Sequence, residues 1–128
     1  MTTLSEEARA FVDAPNLATI ATLQPDGRPQ LSPVWVTRDR DEILFSTTAG
    51  RQKPRNLERD PRVGVLIVPA DSPYTYLEVR GTATIEPDPT GQLIQDLAQK
   101  YTGRPWDDQP GTERLIVRIN ADKVVVRS

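Results

Sequence analysis

Residues 16–23 (NLATIATL) alternate in character, with Leu17, Thr19, Ala21 and Leu23 on one side and Ala18, Ile20 and Thr22 on the other. A period of two is that of a strand buried on at least one face. Pro25-Asp26-Gly27 then turns the chain, because Pro presets φ and Gly accepts a positive φ. Residues 28–37 (RPQLSPVWVT) return as the second strand of a hairpin. Pro29 and Pro33 each remove a ladder donor, which assigns this strand to a sheet edge or to a bulge that brings backbone close to a ligand. Arg38-Asp39-Arg40-Asp41 predicts a polar turn, followed by a third strand at residues 42–47 (EILFST). Residues 62–68 (RVGVLIV) are nearly all apolar and β-branched, the composition of a strand central in its sheet. A long strand at residues 74–86 (YTYLEVRGTATIE) carries Gly81 in its middle, which predicts a bend or bulge. Residues 113–119 (ERLIVRI) and 123–127 (KVVVR) supply two last strands.

Helical spacing occurs in three places. Thr3-x-x-Glu6 reads as a capping box that opens a short amphipathic helix through Ala8, Phe11 and Val12, ended by Pro15. Residues 88–101 repeat Leu93, Ile94, Leu97 and Tyr101 at helical intervals, with Gly103 as the C-cap. A third helix, at residues 54–60, lies between Pro54 and Pro61. Many short strands with regular turns and few helices predict a mainly β fold: a small β-barrel with peripheral helices, formed by residues 1–128 as a single domain. Its edge strands favour closure or pairing with another subunit.

Composition narrows the chemistry more than the fold. The chain has no Cys and no His. Disulfides, thiolate nucleophiles, the usual zinc sites and Ser-His-Asp hydrolysis are thereby excluded or disfavoured. No acidic spacing matches a calcium loop. An enzyme built from these residues takes its chemistry from an organic cofactor and itself supplies binding and orientation. Aromatics make up 5% of the chain, so Val, Ile, Leu and Ala must fill the core. No apolar run approaches the ~20 residues of a membrane span. The acidic start MTTLSEEARAF does not resemble a signal peptide, so the cytoplasm is the expected compartment.

Charge is concentrated in residues 46–63 (STTAGRQKPRNLERDPRV). Arg51, Lys53, Arg55, Arg59 and Arg62 stand against Glu58 and Asp60, so five positive minus two negative charges gives +3 in a chain of net charge −2. Pro54 suits a first helical position, whose N–H has no intrahelical partner. The helix start then aims free N–H groups at Arg51 and Lys53, an arrangement suited to a phosphate or carboxylate. A solvated charged face explains the same run equally simply. One short basic segment and few aromatics do not build a nucleic-acid track.

The hairpin LATIATLQPDGRPQLSPVWV, the cluster GRQKPRNLERDPRVGVLIV and the strand YTYLEVRGTATI occur in the order seen in the pyridoxamine 5′-phosphate oxidase-like split-barrel flavoproteins. Within that superfamily the chain resembles the branch that uses the deazaflavin coenzyme F420. The likeness runs from about residue 16 to residue 86 and rests most on R-x-K-x-R-N-L-x-R-D-P-R-V after a strand. It implies a split β-barrel, FMN-binding-like fold, working as a homodimer with its cofactor in a groove between subunits.

The resemblance also implies residue roles. Arg51, Lys53, Arg55 and Asn56 would hold the phosphate and, for F420, the acidic glutamate tail. Ser46 and Thr47 would meet the phosphoryl or ribityl-like chain. Gln30, Ser32 and Val34, with Pro33 and the Trp35 backbone, would line the ring, and Tyr76 would add a contact from the long strand. Each has a simpler role available: Gln30 and Ser32 as solvated edge positions, Trp35 as core or subunit interface, Tyr76 as a strand aromatic, Asn56 as a trim to the helix start. Tyr101 and Trp106 lie beside or within RPWDDQPG, a loop placed to cap a ligand but without a motif.

The implied activity is hydride transfer between reduced F420 and a small organic acceptor, such as an activated double bond or quinone-like ring. Tyr74, Tyr76 or solvent would supply the proton, and no side chain is required to be catalytic. An FMN-dependent oxidoreductase of the same fold and a non-catalytic F420 or flavin carrier are the alternatives. Vitamin B6 chemistry is disfavoured, because nothing here matches the C-terminal extension that completes the substrate pocket in the pyridoxamine phosphate oxidases, and there is no His.

Overall fold

The computed structural model describes residues 2–128. In chain order the elements are α1 (Glu6–Asp13), β1 (Ala18–Leu23), β2 (Pro29–Val34), β3 (Thr37–Asp39), β4 (Glu42–Thr48), α2 (Gln52–Arg59), β5 (Arg62–Ile67), β6 (Tyr76–Pro87), α3 (Gln92–Thr102) and β7 (Arg114–Arg127). All seven strands form one antiparallel sheet in the order β2-β1-β5-β6-β7-β4-β3. β2 and β3 therefore lie at opposite edges, yet only Trp35 and Val36 separate them in sequence. The three steps from Val34 to Thr37 span at most about 11 Å. The sheet must therefore curl until its edges nearly meet, which makes a barrel split between β2 and β3.

The split leaves backbone that no strand can satisfy, and α3 supplies the missing partners. The Val36 N–H donates to the Tyr101 hydroxyl at 3.1 Å, and that hydroxyl donates to the Asn16 carbonyl at 2.6 Å. Lys100 Nζ donates to the carbonyls of Val36 and Val12, each at 2.6 Å. Burial lowers the Lys100 pKa and raises that of Tyr101 from their ordinary values.

Ile20, Ile43, Phe45, Ile67, Leu77 and Ile119 fill the barrel, and α1 adds Ala8 and Val12 to the same cluster. On the outside of β4, Leu44 packs with Leu93 and Leu97 of α3, with Trp35, Tyr101 and Ile116 at the margin.

Several boundaries depart from the sequence reading. Ser5, not Thr3, caps α1, its Oγ accepting from the Ala8 N–H at 3.1 Å. The Thr2 N–H donates to the Ala121 carbonyl at 2.9 Å. The polar stretch 38–41 is not all turn, because Thr37–Asp39 forms β3 against β4, and the reversal falls on Arg40 at φ 56°. α2 begins at Gln52, two residues before Pro54. Pro54 is tolerated there because every N–H in a first turn lacks an intrahelical partner.

The two expected C-terminal strands are one 14-residue strand, β7. Asn120-Ala121-Asp122 looks like a break but is a bulge: Arg80 pairs with Lys123 and Gly81 with Ala121, leaving Asp122 extra. The bulge expected at Gly81 is thus present, and crowding explains the glycine. A Cβ at Gly81 would lie 2.3 Å from the Asn120 carbonyl oxygen.

Gly81→Ala is therefore expected to destabilise the protein by about 1–3 kcal/mol, the usual range for overpacking, read as a lower urea midpoint. Lys100→Met should lower stability by roughly 2 kcal/mol, because buried carbonyls lose their donor. Chemical denaturation of both variants beside Lys123→Met, an exposed lysine, isolates these effects from loss of charge.

Candidate functional site

A groove of about 270 Å³ follows the split. One wall is the end of β2 and the crossing, contributing Pro33, Val34 and Trp35. Ser46, Thr47 and Thr48, closing β4, form the floor. Arg51 and Lys53 enter from the start of α2, while Ile94 and Leu97 of α3, with Trp106 and Arg114, complete the far side.

α2 is held in place by polar contacts. Asn56, fully buried, donates from Nδ2 to Thr22 Oγ1 and to Gln24 Oε1, both at 3.0 Å, and accepts from Gln52 Nε2 at 2.7 Å. Thr22 Oγ1 in turn donates to Gln30 Oε1 at 3.2 Å. Arg59 also donates to the Leu23 carbonyl. This network fixes the helix against β1 and β2, and its N-terminus has no side-chain cap.

Lys53 is half-buried, and its Nζ donates to Ser32 Oγ at 3.0 Å. Arg51 Nε donates to Thr48 Oγ1 at 3.1 Å. Among the described residues no carboxylate lies within 4.0 Å of either cation. Desolvation lowers the Lys53 pKa from the ordinary 10.5, with repulsion from Arg51 adding to it. Most other arginines here are paired: Arg62 with Asp60, Arg38 with Asp13, and Arg118 with Asp39, Glu42 and Glu86. The groove thus holds positive charge that the chain leaves uncompensated, which is costly unless an anion completes it.

The aromatic residues form the opposite end. Trp35 stacks on Tyr101 with ring centroids 5.4 Å apart and planes 13° from parallel. Trp106 meets Trp35 edge-on at 5.6 Å and 86°. Tyr101 belongs to the last turn of α3 and serves the split, whereas Trp106 faces the groove.

Of the residues singled out from sequence, Pro33, Val34, Ser46, Thr47, Arg51 and Lys53 line the groove together. Ser32 reaches it through Lys53. Gln30, Ser32 and Val34 share one face of the edge strand, as read, and that face points inward beside Thr22, Ile20 and Ala18. Asn56 lies beneath α2, and Arg55 sits on its exposed side, donating to Gln52 Oε1 at 3.0 Å. Tyr76 starts β6 away from the groove, and Tyr74 is 89% exposed. Arg114 and Thr48 were missed. Only the β4–β7 register, which pairs Thr48 with Arg114, brings them to the site.

The chain matches the family described as pyridoxamine 5′-phosphate oxidase over residues 4–127. A solved F420 reductase is 33% identical, with a TM-score of 0.86 over 95% of this chain and 98% of that one. An F420H(2)-dependent biliverdin reductase of Mycobacterium tuberculosis (strain CDC 1551 / Oshkosh) is 26% identical over 126 residues, 97% of this chain and 88% of its own length. A pyridoxine/pyridoxamine 5′-phosphate oxidase of Rubrobacter xylanophilus is 39% identical over 108 residues, 83% of this chain but 46% of its own length, so the present chain spans about half of that relative. With its split barrel and its match along nearly the whole sequence, the chain belongs to the pyridoxamine 5′-phosphate oxidase-like family and resembles, within it, the F420 reductases.

Proposed function

We propose that this chain, working as one domain, is an oxidoreductase that holds coenzyme F420 in the groove and serves hydride transfer to or from a small organic acceptor. The observation that carries this reading is Lys53: a half-buried ammonium beside Arg51, hydrogen-bonded to a serine hydroxyl and facing no carboxylate among the described residues. Uncompensated cations at an uncapped helix start fit an anionic cofactor. The names of the similar F420 reductases support F420 over FMN.

When bound, the reduced deazaflavin supplies the hydride from its C5 position. The protein's part is to bind, orient and keep water out. Arg51 and Lys53 hold the phosphate, and Arg55, on the outer side of α2, extends the positive surface towards the tail. Ser46 and Thr47 offer hydroxyls to the phosphoryl group or the ribityl-like chain. Ser32, Pro33 and Val34 line the ring, while Gln30 and Asn56 keep β2 and α2 at the right separation through Thr22. Ile94, Leu97 and Trp106 exclude water from the far side of the groove. The acceptor is an activated double bond or quinone-like ring, and solvent or a tyrosine returns the proton. An FMN enzyme of the same fold and a carrier without turnover are the readings the assay must separate.

The functional unit in this proposal is a homodimer in the cytoplasm. Leu31 is 62% exposed and Leu66 40% exposed, both on the outer face of the β2-β1-β5 strands. Tyr76 faces the same side as Leu66, so it would reach a partner's groove rather than its own. No described helix is long and apolar enough to cross a membrane.

Fluorescence titration of cofactor-free protein is expected to show saturable F420 binding, stronger than FMN binding. Arg51→Ala and Lys53→Ala should each weaken it about tenfold to a hundredfold, the loss of one charge-assisted contact. FMN preference would move the chain to the flavin enzymes, and binding without turnover across an acceptor panel would make it a carrier. Lys53→Met should raise the melting temperature of the free protein. The Lys53 pKa lies below its unfolded value, so the unfolded chain binds more protons in the window between the two. Its destabilising effect is full below the folded-state pKa and fades as pH rises from there towards 10.5, a slope the methionine variant should lack. Sedimentation analysis should find a dimer that Leu66→Glu converts to monomer; a monomeric parent protein would reject the interface.

A further inference from the structure

Arg114 opens β7 directly across from Thr48, the residue that Arg51 also touches. Its side chain is only 11% exposed, yet it lines the groove. Asp108 takes two of its nitrogens, Nε at 3.0 Å and Nη2 at 2.7 Å. Nη1 is left over, 3.5 Å from Ser46 Oγ at the limit of hydrogen bonding. Guanidinium has five N–H donors, and a carboxylate fork satisfies two. The Trp106 ring lies over the guanidinium at 5.6 Å.

The segment that carries Asp108 and Trp106 is tied down. Gln95 donates to the Trp106 carbonyl at 2.7 Å and accepts from the Trp106 N–H at 3.0 Å. The indole Nε1 donates to Asp108 Oδ1 at 2.9 Å. Residues 103–113 thus form a strap pinned to α3 and to Arg114. The strap holds the guanidinium in a fixed pose, with its unused edge towards the floor of the groove.

We infer that Arg114 is a further anion-binding residue, which prolongs the cationic track from Lys53 past Arg51, and that Asp108 is its resident counter-ion. Three cations less one carboxylate leave a net +2 around the end of β4. A single phosphate is matched by Lys53 and Arg51. A third fixed cation suits a ligand with negative charge beyond that phosphate, so Arg114 sets the groove's preference for a tailed cofactor. The inference rests on the F420 reading and names a determinant of it. Asp108 limits the attraction while the strap needs it, as the Arg114 guanidinium holds its carboxyl below the usual carboxylate range.

The test compares three fluorescent probes: F420, the same deazaflavin riboside without phosphate or tail, and FMN. Arg114→Gln should weaken F420 about tenfold and flatten its salt dependence, while binding of the tailless chromophore stays within twofold. Arg114→Lys should restore part of the loss, and Asp108→Asn, which keeps the arginine, should tighten F420 binding. Equal losses for F420 and the tailless chromophore would make Arg114 a brace of the fold and overturn the inference. So would unchanged F420 affinity in Arg114→Gln where Lys53→Ala still weakens it, leaving the cofactor assignment standing. If Arg114→Gln does not fold, Asp108→Asn decides, and a failure to tighten counts against the proposal. An unmodified protein that binds no F420 ends the cofactor assignment and this inference together.

Discussion

The two-residue passage from one sheet edge to the other governs this molecule. Trp35 and Val36 must carry the chain from β2 to β3, and no neighbouring strand can pair with them. Leaving the Val36 amide and carbonyl bare inside the protein would be costly. α3 resolves this with two side chains, Lys100 and Tyr101, which reach backbone on α1, on the lead-in to β1 and on the crossing. The same placement seats Trp35 on Tyr101, which fixes one wall of the groove. The binding site and the gap in the barrel are therefore one feature.

Electrostatics divides the molecule. Away from the groove many cations find carboxylates, as in the cluster of Arg118 with Asp39, Glu42 and Glu86. Such exposed pairs contribute little to stability. At the groove the arrangement differs, since Lys53 and Arg51 meet only hydroxyls. A polar network beneath α2, centred on Asn56, keeps this unfavourable arrangement rigid. Stability is sacrificed locally and secured by contacts that never face the ligand.

Local patterns exposed most of the sheet. The first hairpin, the edge character of β2, the bulge at Gly81 and the glycine cap of α3 all follow from residues close in sequence. What local patterns hid was set by register. Thr37–Asp39 has the polarity of a turn and becomes a strand because β4 offers it an edge. Asn120-Ala121-Asp122 reads as a break, but the strand continues through it because β7 bulges at Asp122 while β6 runs on beside it. The site divides the same way. The basic run was visible as composition, and the inward face of Gln30, Ser32 and Val34 as alternation. Arg114 gave no signal, because its value depends on pairing with a strand some 66 positions earlier, Thr48 against Arg114.

That long-range pairing bears on how the chain emerges during synthesis. β4 has β3 beside it early, but its other edge must wait for β7, the last strand to be made. The crossing likewise stays unsealed until Lys100 and Tyr101 leave the ribosome. Without β7 the strands fall into two pieces, β2-β1-β5-β6 and β4-β3, whose facing edges are unpaired, and unpaired edges are prone to mispairing and to capture by chaperones. β7 joins the two pieces and carries Arg114 to the groove, so one strand links the continuity of the barrel to the lining of the site.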